Sequence, residues 1–192
     1  MTWSILARDE KSGRFGIAVT TCAFAVGARV PFGIGRIGII ATQSFVNPLI
    51  GVDGMRLLQD GATAQEALDI VVKADPGAGL RQAHIMDRDG NIAQFTGDAC
   101  VPWAGAVRAP NISVAGNMLA NAHVVAATLD QYLASANRDF DDRLLAALEA
   151  GQAAGGDKRG KQSAAIRIWD RDVFPVIDIR VDDHAEPLIE MR

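Results

Sequence analysis

The chain has 192 residues, 49% of them hydrophobic and 22% charged, with a formal net charge of −4. That length suits one domain with a sizeable core, and the mixed-sign, slightly acidic balance excludes the basic stripe of a nucleic-acid binder or a membrane-surface binder. No apolar run reaches the ~18 residues that span a bilayer. The start Met1-Thr2-Trp3-Ser4 has no basic region leading into an apolar core, so a cytoplasmic protein without a signal peptide is expected.

Residues 3–8 (WSILAR) and 14–20 (RFGIAVT) are apolar runs on either side of Asp9-Glu10-Lys11-Ser12-Gly13, the pattern of an opening hairpin. A glycine-punctuated loop leads to a third buried strand over 36–44 (RIGIIATQS). Helices are expected over 51–60 and 63–74. In the second, Thr63 and Glu66 read as a capping box, and Ala64, Ala67, Leu68 and Val71 share one face. Strands over 82–87 and 91–97 flank Arg88-Asp89-Gly90, and 111–117 (NISVAGN) is a further strand. Helical periodicity covers 121–135 and 139–152, with Asp139 as N-cap of the latter. The last hairpin joins 163–170 to 173–181 around Arg171-Asp172. About eight strands and four helices, grouped and not alternating, point to one α+β domain over 1–192 with two mainly antiparallel sheets flanked by helices.

Residues 155–165 (GGDKRGKQSAA) satisfy G-x-x-x-x-G-K but carry Gln162 where a phosphate loop has Ser or Thr. A phosphate loop also runs from strand to helix, so that free N–H groups face the anion, whereas here a helix precedes and a strand follows. The segment reads instead as a glycine-rich helix-to-strand turn that concentrates Asp157, Arg159 and Ser163 at a sheet end. Two cysteines, Cys22 and Cys100, build no disulfide framework and match no metal motif. The run Asp182-Asp183-His184 has metal-ligand chemistry. Adjacent residues on a strand point to opposite faces, however, and ion pairing with Arg159, Arg180 or Lys158 is the simpler reading. His84 alternates with apolar neighbours and His123 starts a helix, which suits structural roles for both.

The segments TWSILARDEKSGRFGIAV, AVGARVPF, RQAHIMDRDGNIAQFTG, ALEAGQAAGGDKRGKQSAA and DIRVDDHAEPLIEM together resemble the DUF1028 family over essentially the whole chain. The resemblance implies a four-layer αββα sandwich of the N-terminal-nucleophile (Ntn) hydrolase-like type and supplies neither activity nor substrate. Ntn hydrolases use a Thr, Ser or Cys at the mature N-terminus, its α-amine serving as base. Thr2 follows Met1, which an aminopeptidase removes before small residues, and so is the candidate nucleophile. This reading requires Thr2 to line the deepest pocket near Asn117 and 157–163. The expected substrate is a small amide or peptide, no cofactor or metal is called for, and a homo-oligomer is expected. Thr42, Gln43, Asn117, Asp157, Arg159 and Ser163 are the candidate substrate-binding residues, Asn117 either as an oxyanion donor or as a helix cap. Thr20, Thr21 and Ser44 lie at neighbouring strand ends, Cys22 is a weaker nucleophile candidate, and Trp103 with Gly105 suggests a pocket wall. The alternative is a non-catalytic small-molecule-binding or assembly protein on the same fold.

Overall fold

In the computed structural model, which describes residues 2–192, the opening hairpin forms as the sequence predicts. β1 (Thr2–Arg8) and β2 (Phe15–Thr21) pair antiparallel, with Trp3 opposite Thr20 and Arg8 opposite Phe15. The chain continues through β3 (Pro31–Ile34), β4 (Gly38–Ser44), α1 (Pro48–Gln59) and α2 (Ala64–Ala74). Next come β5 (Arg81–Asp87), β6 (Ile92–Thr96), β7 (Gly105–Ala109) and β8 (Ile112–Asn117). It ends with α3 (His123–Ala134), α4 (Phe140–Ala153), β9 (Ser163–Trp169), β10 (Ile177–Val181) and α5 (Pro187–Met191).

Two antiparallel sheets result, one ordered β10-β9-β2-β1-β8-β7 and the other β3-β4-β5-β6. Helices α1 and α2 cover the outer face of the four-stranded sheet, and α3 and α4 cover that of the six-stranded sheet. The two inner faces meet through β1, β2 and β8 against β4, β5 and β6. This is the four-layer αββα order that the sequence leads one to expect.

Strand parity distributes the residues among these layers. Trp3, Ile5, Val114 and Ile166 face α3 and α4. Ile40, Ala83 and Ile85 face α1 and α2. Leu6, Phe15, Ile17, Val19, Ile39 and Met86 meet between the sheets. Each such Leu, Ile or Phe contributes about 1.5–3 kcal/mol by leaving water, so three apolar layers fix the stacking of the elements. Gly151 of α4 permits the closest approach at β1, since a Cβ there would stand 2.8 Å from Trp3 Nε1. β1 is thereby clamped between a helix and the second sheet, one residue from Thr2.

The structure has ten strands and five α-helices among the described residues, more than the hydrophobic pattern reveals. β3 has four residues and sits at a sheet edge beginning with Pro31, where the missing N–H costs no ladder bond. β7 is the opposite kind of omission, a half-buried edge strand with little apolar contrast. The final hairpin is also shorter than expected, because 173–176 is irregular and β10 begins at Ile177. Thr63 makes the expected capping box with Glu66. Asp139 occupies the N-cap of α4 without a side-chain cap bond, and Asp141 and Asp142 in the first turn supply the negative charge that the helix dipole favours there.

Candidate functional site

Thr2 opens β1 in the middle of the six-stranded sheet, and parity turns its hydroxyl to the inter-sheet side with Ser4 and Leu6. Its Oγ1 donates to Thr21 Oγ1 of β2 at 3.2 Å. Both threonines line a cavity of about 290 Å³ at this end of the sandwich. Arg29 and Arg159 bring two guanidiniums to its wall, and no carboxylate stands among the described residues that line it. Phe24 and Phe45 line it as well, although they are 64% and 60% exposed.

The loops around the cavity are tightly held. Past the end of α4, Gly155 and Gly156 take φ of 121° and 53°, which turns the chain back toward β8. Asp157 is then buried with its carboxylate fully engaged: Oδ2 accepts from the Cys22 N–H at 2.9 Å, Oδ1 accepts from the Arg159 N–H at 2.8 Å, and Arg159 Nη2 reaches Oδ2 at 3.2 Å. Ser163 Oγ donates to Ala23 O at 2.5 Å and accepts from the Val26 N–H at 3.1 Å. The glycine-rich segment thus anchors the 22–26 loop and sets Arg159 at the cavity. It is a helix-to-strand turn, in the order the sequence indicates.

Two residues beside the cavity have left-handed backbones, Ala25 at φ 52° and Ser44 at φ 72°. Such conformations cost of order 1–3 kcal/mol in non-glycine residues and concentrate at functional sites. Ser44 also lines the cavity, and its φ takes the backbone out of the strand alternation that would otherwise group it with Thr42.

Deeper between the sheets lies a closed polar network. Ser4 Oγ donates to Gln43 Oε1 at 2.7 Å, so at its 2.8 Å contact with His84 it accepts from Nε2–H. His84 Nδ1 then accepts from Ser113 Oγ at 2.7 Å, and Ser113 accepts from Gln94 Nε2 at 2.8 Å. Gln43 Nε2 donates to Gln82 Oε1 and to Ala115 O. Asn117 Nδ2 donates to the same Gln82 Oε1 at 2.9 Å and to Thr2 O at 3.3 Å. The imidazole is fully buried, and burial pushes its pKa down to about 3, so it is the neutral Nε2–H tautomer that the network fits.

The structure therefore brings Thr2 and Arg159 to one cavity, with Asp157 behind Arg159 and Ser163 holding the adjoining loop. It does not bring Thr42, Gln43 or Asn117 there. Thr42 faces the helix side of its sheet and donates to Asn47 O at 3.3 Å. Gln43 is enclosed in the network, and both N–H groups of Asn117 are spent inside the sandwich; α3 begins six residues later, where Asn121 accepts from the His123 N–H. Trp103 packs toward α3 and α4. Thr20 Oγ1 donates to Ser163 O. Cys22 is half-buried, Cys100 is buried, and both thiols are free. Asp182 pairs with Arg180 at 2.7 Å, Asp183 accepts from Gln162, and His184 Nδ1 accepts from the Glu186 N–H, so the three are engaged separately. A larger cavity, about 420 Å³, lies elsewhere, between α1 and α2. Thr2 therefore lines a cavity, but not the largest one, and the expectation that it lines the deepest pocket of the molecule is not met. No helix among the described residues is long and apolar enough to cross a membrane.

Residues 2–191 match the family of unknown function DUF1028. No curated protein matches the chain. Among solved structures, a DUF1028 protein from Silicibacter pomeroyi superposes with a TM-score of 0.92 at 33% identity, covering 99% of this chain and 85% of that one. A looser likeness is to Anbu (ancestral β-subunit) from Yersinia bercovieri, with a TM-score of 0.49 at 12% identity over 98% of this chain and 90% of that one.

Proposed function

The chain belongs to the DUF1028 family, and from that premise and the cavity around Thr2 we propose that it is an Ntn-type amide hydrolase acting on a small amide or peptide. The observation that carries this reading is the position of Thr2 at the head of a central strand, its hydroxyl beside Thr21 and on the wall of a cavity. Once Met1 is removed, the α-amine of Thr2 has an ordinary pKa near ~8 and is the nearest base to its own hydroxyl. Oγ1 attacks the amide carbonyl as its proton passes to the amine. The C–N bond breaks, the same proton leaves with the departing amine, and water hydrolyses the Thr2 ester. Asn117 acts as a positioning residue by holding Thr2 O, which orients the first residue without touching substrate. Arg159 supplies a charged wall beside the reacting group.

The test has two steps. Mass spectrometry of the protein from its native source is expected to find Thr2 at the N-terminus. Hydrolysis of a panel of small amides is then expected to fall about 10³-fold or more in Thr2→Ala, with Thr2→Ser retaining part of it. Full retention of Met1, or equal turnover by Thr2→Ala, sinks the assignment and leaves a binding protein on this fold. The same reading takes the protein as a homo-oligomer. The apolar groove between α1 and α2, flanked by exposed Leu49 and Ile70, supports this, and sedimentation analysis checks it.

A further inference from the structure

The cavity at Thr2 has a charge pattern that amide hydrolysis by itself does not require. The chain carries a net −4, yet the wall beside Thr2 holds Arg29 and Arg159. Asp157 is the one carboxylate in contact with either of them among the described residues, and its side chain is fully buried behind Arg159. That carboxylate is shared with the backbone N–H groups of Cys22 and Arg159, while the Arg159 side chain remains 42% exposed. Arg29 is exposed, follows the short 26–28 turn, and makes no ion pair among the described residues. Two guanidiniums against one carboxylate leave one excess positive charge in a concave site, where low-dielectric walls strengthen its field. Beside the hydroxyl-bearing Thr2, Thr21 and Ser44, the rest of the lining is apolar, from Ala23, Val26, Val30 and Val46, with Phe24 and Phe45 holding large exposed faces on opposite loops.

We propose that this cavity selects amides that carry a carboxylate close to the scissile bond, with the carboxylate held by Arg29 and Arg159 and an apolar or aromatic group lying on Phe24 and Phe45. A guanidinium matches a planar carboxylate with two parallel N–H donors, and one excess positive charge suits a monoanion. N-acylated amino acids have this combination of amide, carboxylate and apolar group. The proposal rests on the assignment of Thr2 for where cleavage falls, but the charge preference is a property of binding and is measured without turnover.

The test is calorimetric titration of the full chain with N-benzoylglycine and with its uncharged amide, N-benzoylglycinamide. Tighter binding of the acid is expected, by about 10-fold or more, a gap that narrows in 1 M salt (about 1 M, a Debye length near ~3 Å). Arg29→Met, at an exposed position, is expected to bring the two compounds within about 3-fold of each other at an unchanged melting temperature. Arg159→Met is expected to bring them together as well, with some loss of melting temperature because the buried Asp157 loses its guanidinium partner. Equal affinity for the two compounds, a preference that survives both substitutions, or no saturable binding of either up to about 10 mM overturns the proposal. Acid-selective binding in a protein that retains Met1 and hydrolyses nothing sinks the Thr2 nucleophile and leaves the carboxylate site standing. Hydrolysis of neutral amides that depends on Thr2 and not on the arginines does the reverse.

Discussion

Two polar regions lie between the same pair of sheets, a few residues apart, and they have opposite character. Around His84 the groups are matched donor to acceptor: Gln94, Ser113, His84, Ser4, Gln43, Gln82 and Asn117 form one chain of hydrogen bonds that ends on Thr2 O. At Thr2 the layer opens, and the hydroxyl residues Thr2, Thr21 and Ser44, two guanidiniums and two aromatic faces line a cavity. The first region has the richer set of catalytic residue types, including the one buried imidazole. It is nevertheless a structural element, because each group already has its partner and burial holds the imidazole neutral. The second is poorer in such types and is the better candidate site. Polar groups lining a cavity separate the two more reliably than residue type does.

The sharpest way to break that contrast is to truncate one group in each region. Gln82 accepts from Gln43 and Asn117, and its Nε2 lies 3.0 Å from Thr96 Oγ1 and 2.8 Å from Gly116 O. Gln82→Leu strands at least two buried donors and one carbonyl. At about 1–3 kcal/mol for each orphaned group, the expected loss is about 3–9 kcal/mol, or roughly 6 °C or more in melting temperature for a chain of this size. Thr2→Ala, whose hydroxyl meets another hydroxyl at a cavity wall, is expected to cost about 1 kcal/mol or less. Denaturant unfolding of the two variants checks this. Comparable losses would make Thr2 a structural group like those around His84.

A smaller effect comes from the proton balance of His84. Its folded-state pKa of about 3 lies below the ordinary ~6.5, so between those values the unfolded chain binds a proton that the folded chain refuses. The associated stability is fully present above about pH 6.5 and is lost as pH falls toward 3, at up to ~1.4 kcal/mol per pH unit. Lowering the pH from 7 to 4.5 is expected to cost the wild type about 2–3 kcal/mol more than it costs His84→Gln, which has no proton to gain. Urea midpoints of both proteins at the two pH values measure the difference. Equal pH sensitivity would show that the imidazole is not held neutral.

Strand parity explains what was legible in the sequence and what was not. The apolar alternation of β1, β2, β4 and β5, together with the grouping of helices, is sufficient for the α+β sandwich, because burial on one face demands that pattern. Which face meets the cavity is set by the stacking of the sheets, which no single strand encodes. Thr42, Gln43 and Ser44 are therefore equivalent as sequence, yet they face α1, the polar network and the cavity respectively. Ser44 reaches the cavity only through a left-handed φ that parity does not anticipate. Arg29 had no motif to mark it; a lone arginine in AVGARVPF reads as an exposed loop charge until the 155–163 turn brings Arg159 to the same wall. The glycine-rich turn was legible because it carries a local requirement, positive φ at Gly155 and Gly156, whereas Thr2 is marked in the sequence only by its place after Met1.

The smallest effect calibrates the other two. Thr63 and Glu66 form a reciprocal pair far from either polar region: Thr63 Oγ1 accepts from the Glu66 N–H at 3.3 Å, and Glu66 Oε2 accepts from the Thr63 N–H at 2.9 Å. The Thr63 N–H, and after it the Thr63 hydroxyl, donate to the Glu66 carboxyl and hold it below the ordinary carboxylate range. Thr63→Ala removes a cap that water can partly replace, since both residues are exposed or nearly so. The expected cost is about 1 kcal/mol, or roughly 2–4 °C, read by thermal unfolding at neutral pH. Like Gln82→Leu, it breaks hydrogen bonds, but the stranded N–H meets solvent instead of a second sheet. If Thr63→Ala were to cost as much as Gln82→Leu, burial could not be what makes the inter-sheet network expensive to break. The distinction between a closed structural network and an open cavity would then lose its energetic basis.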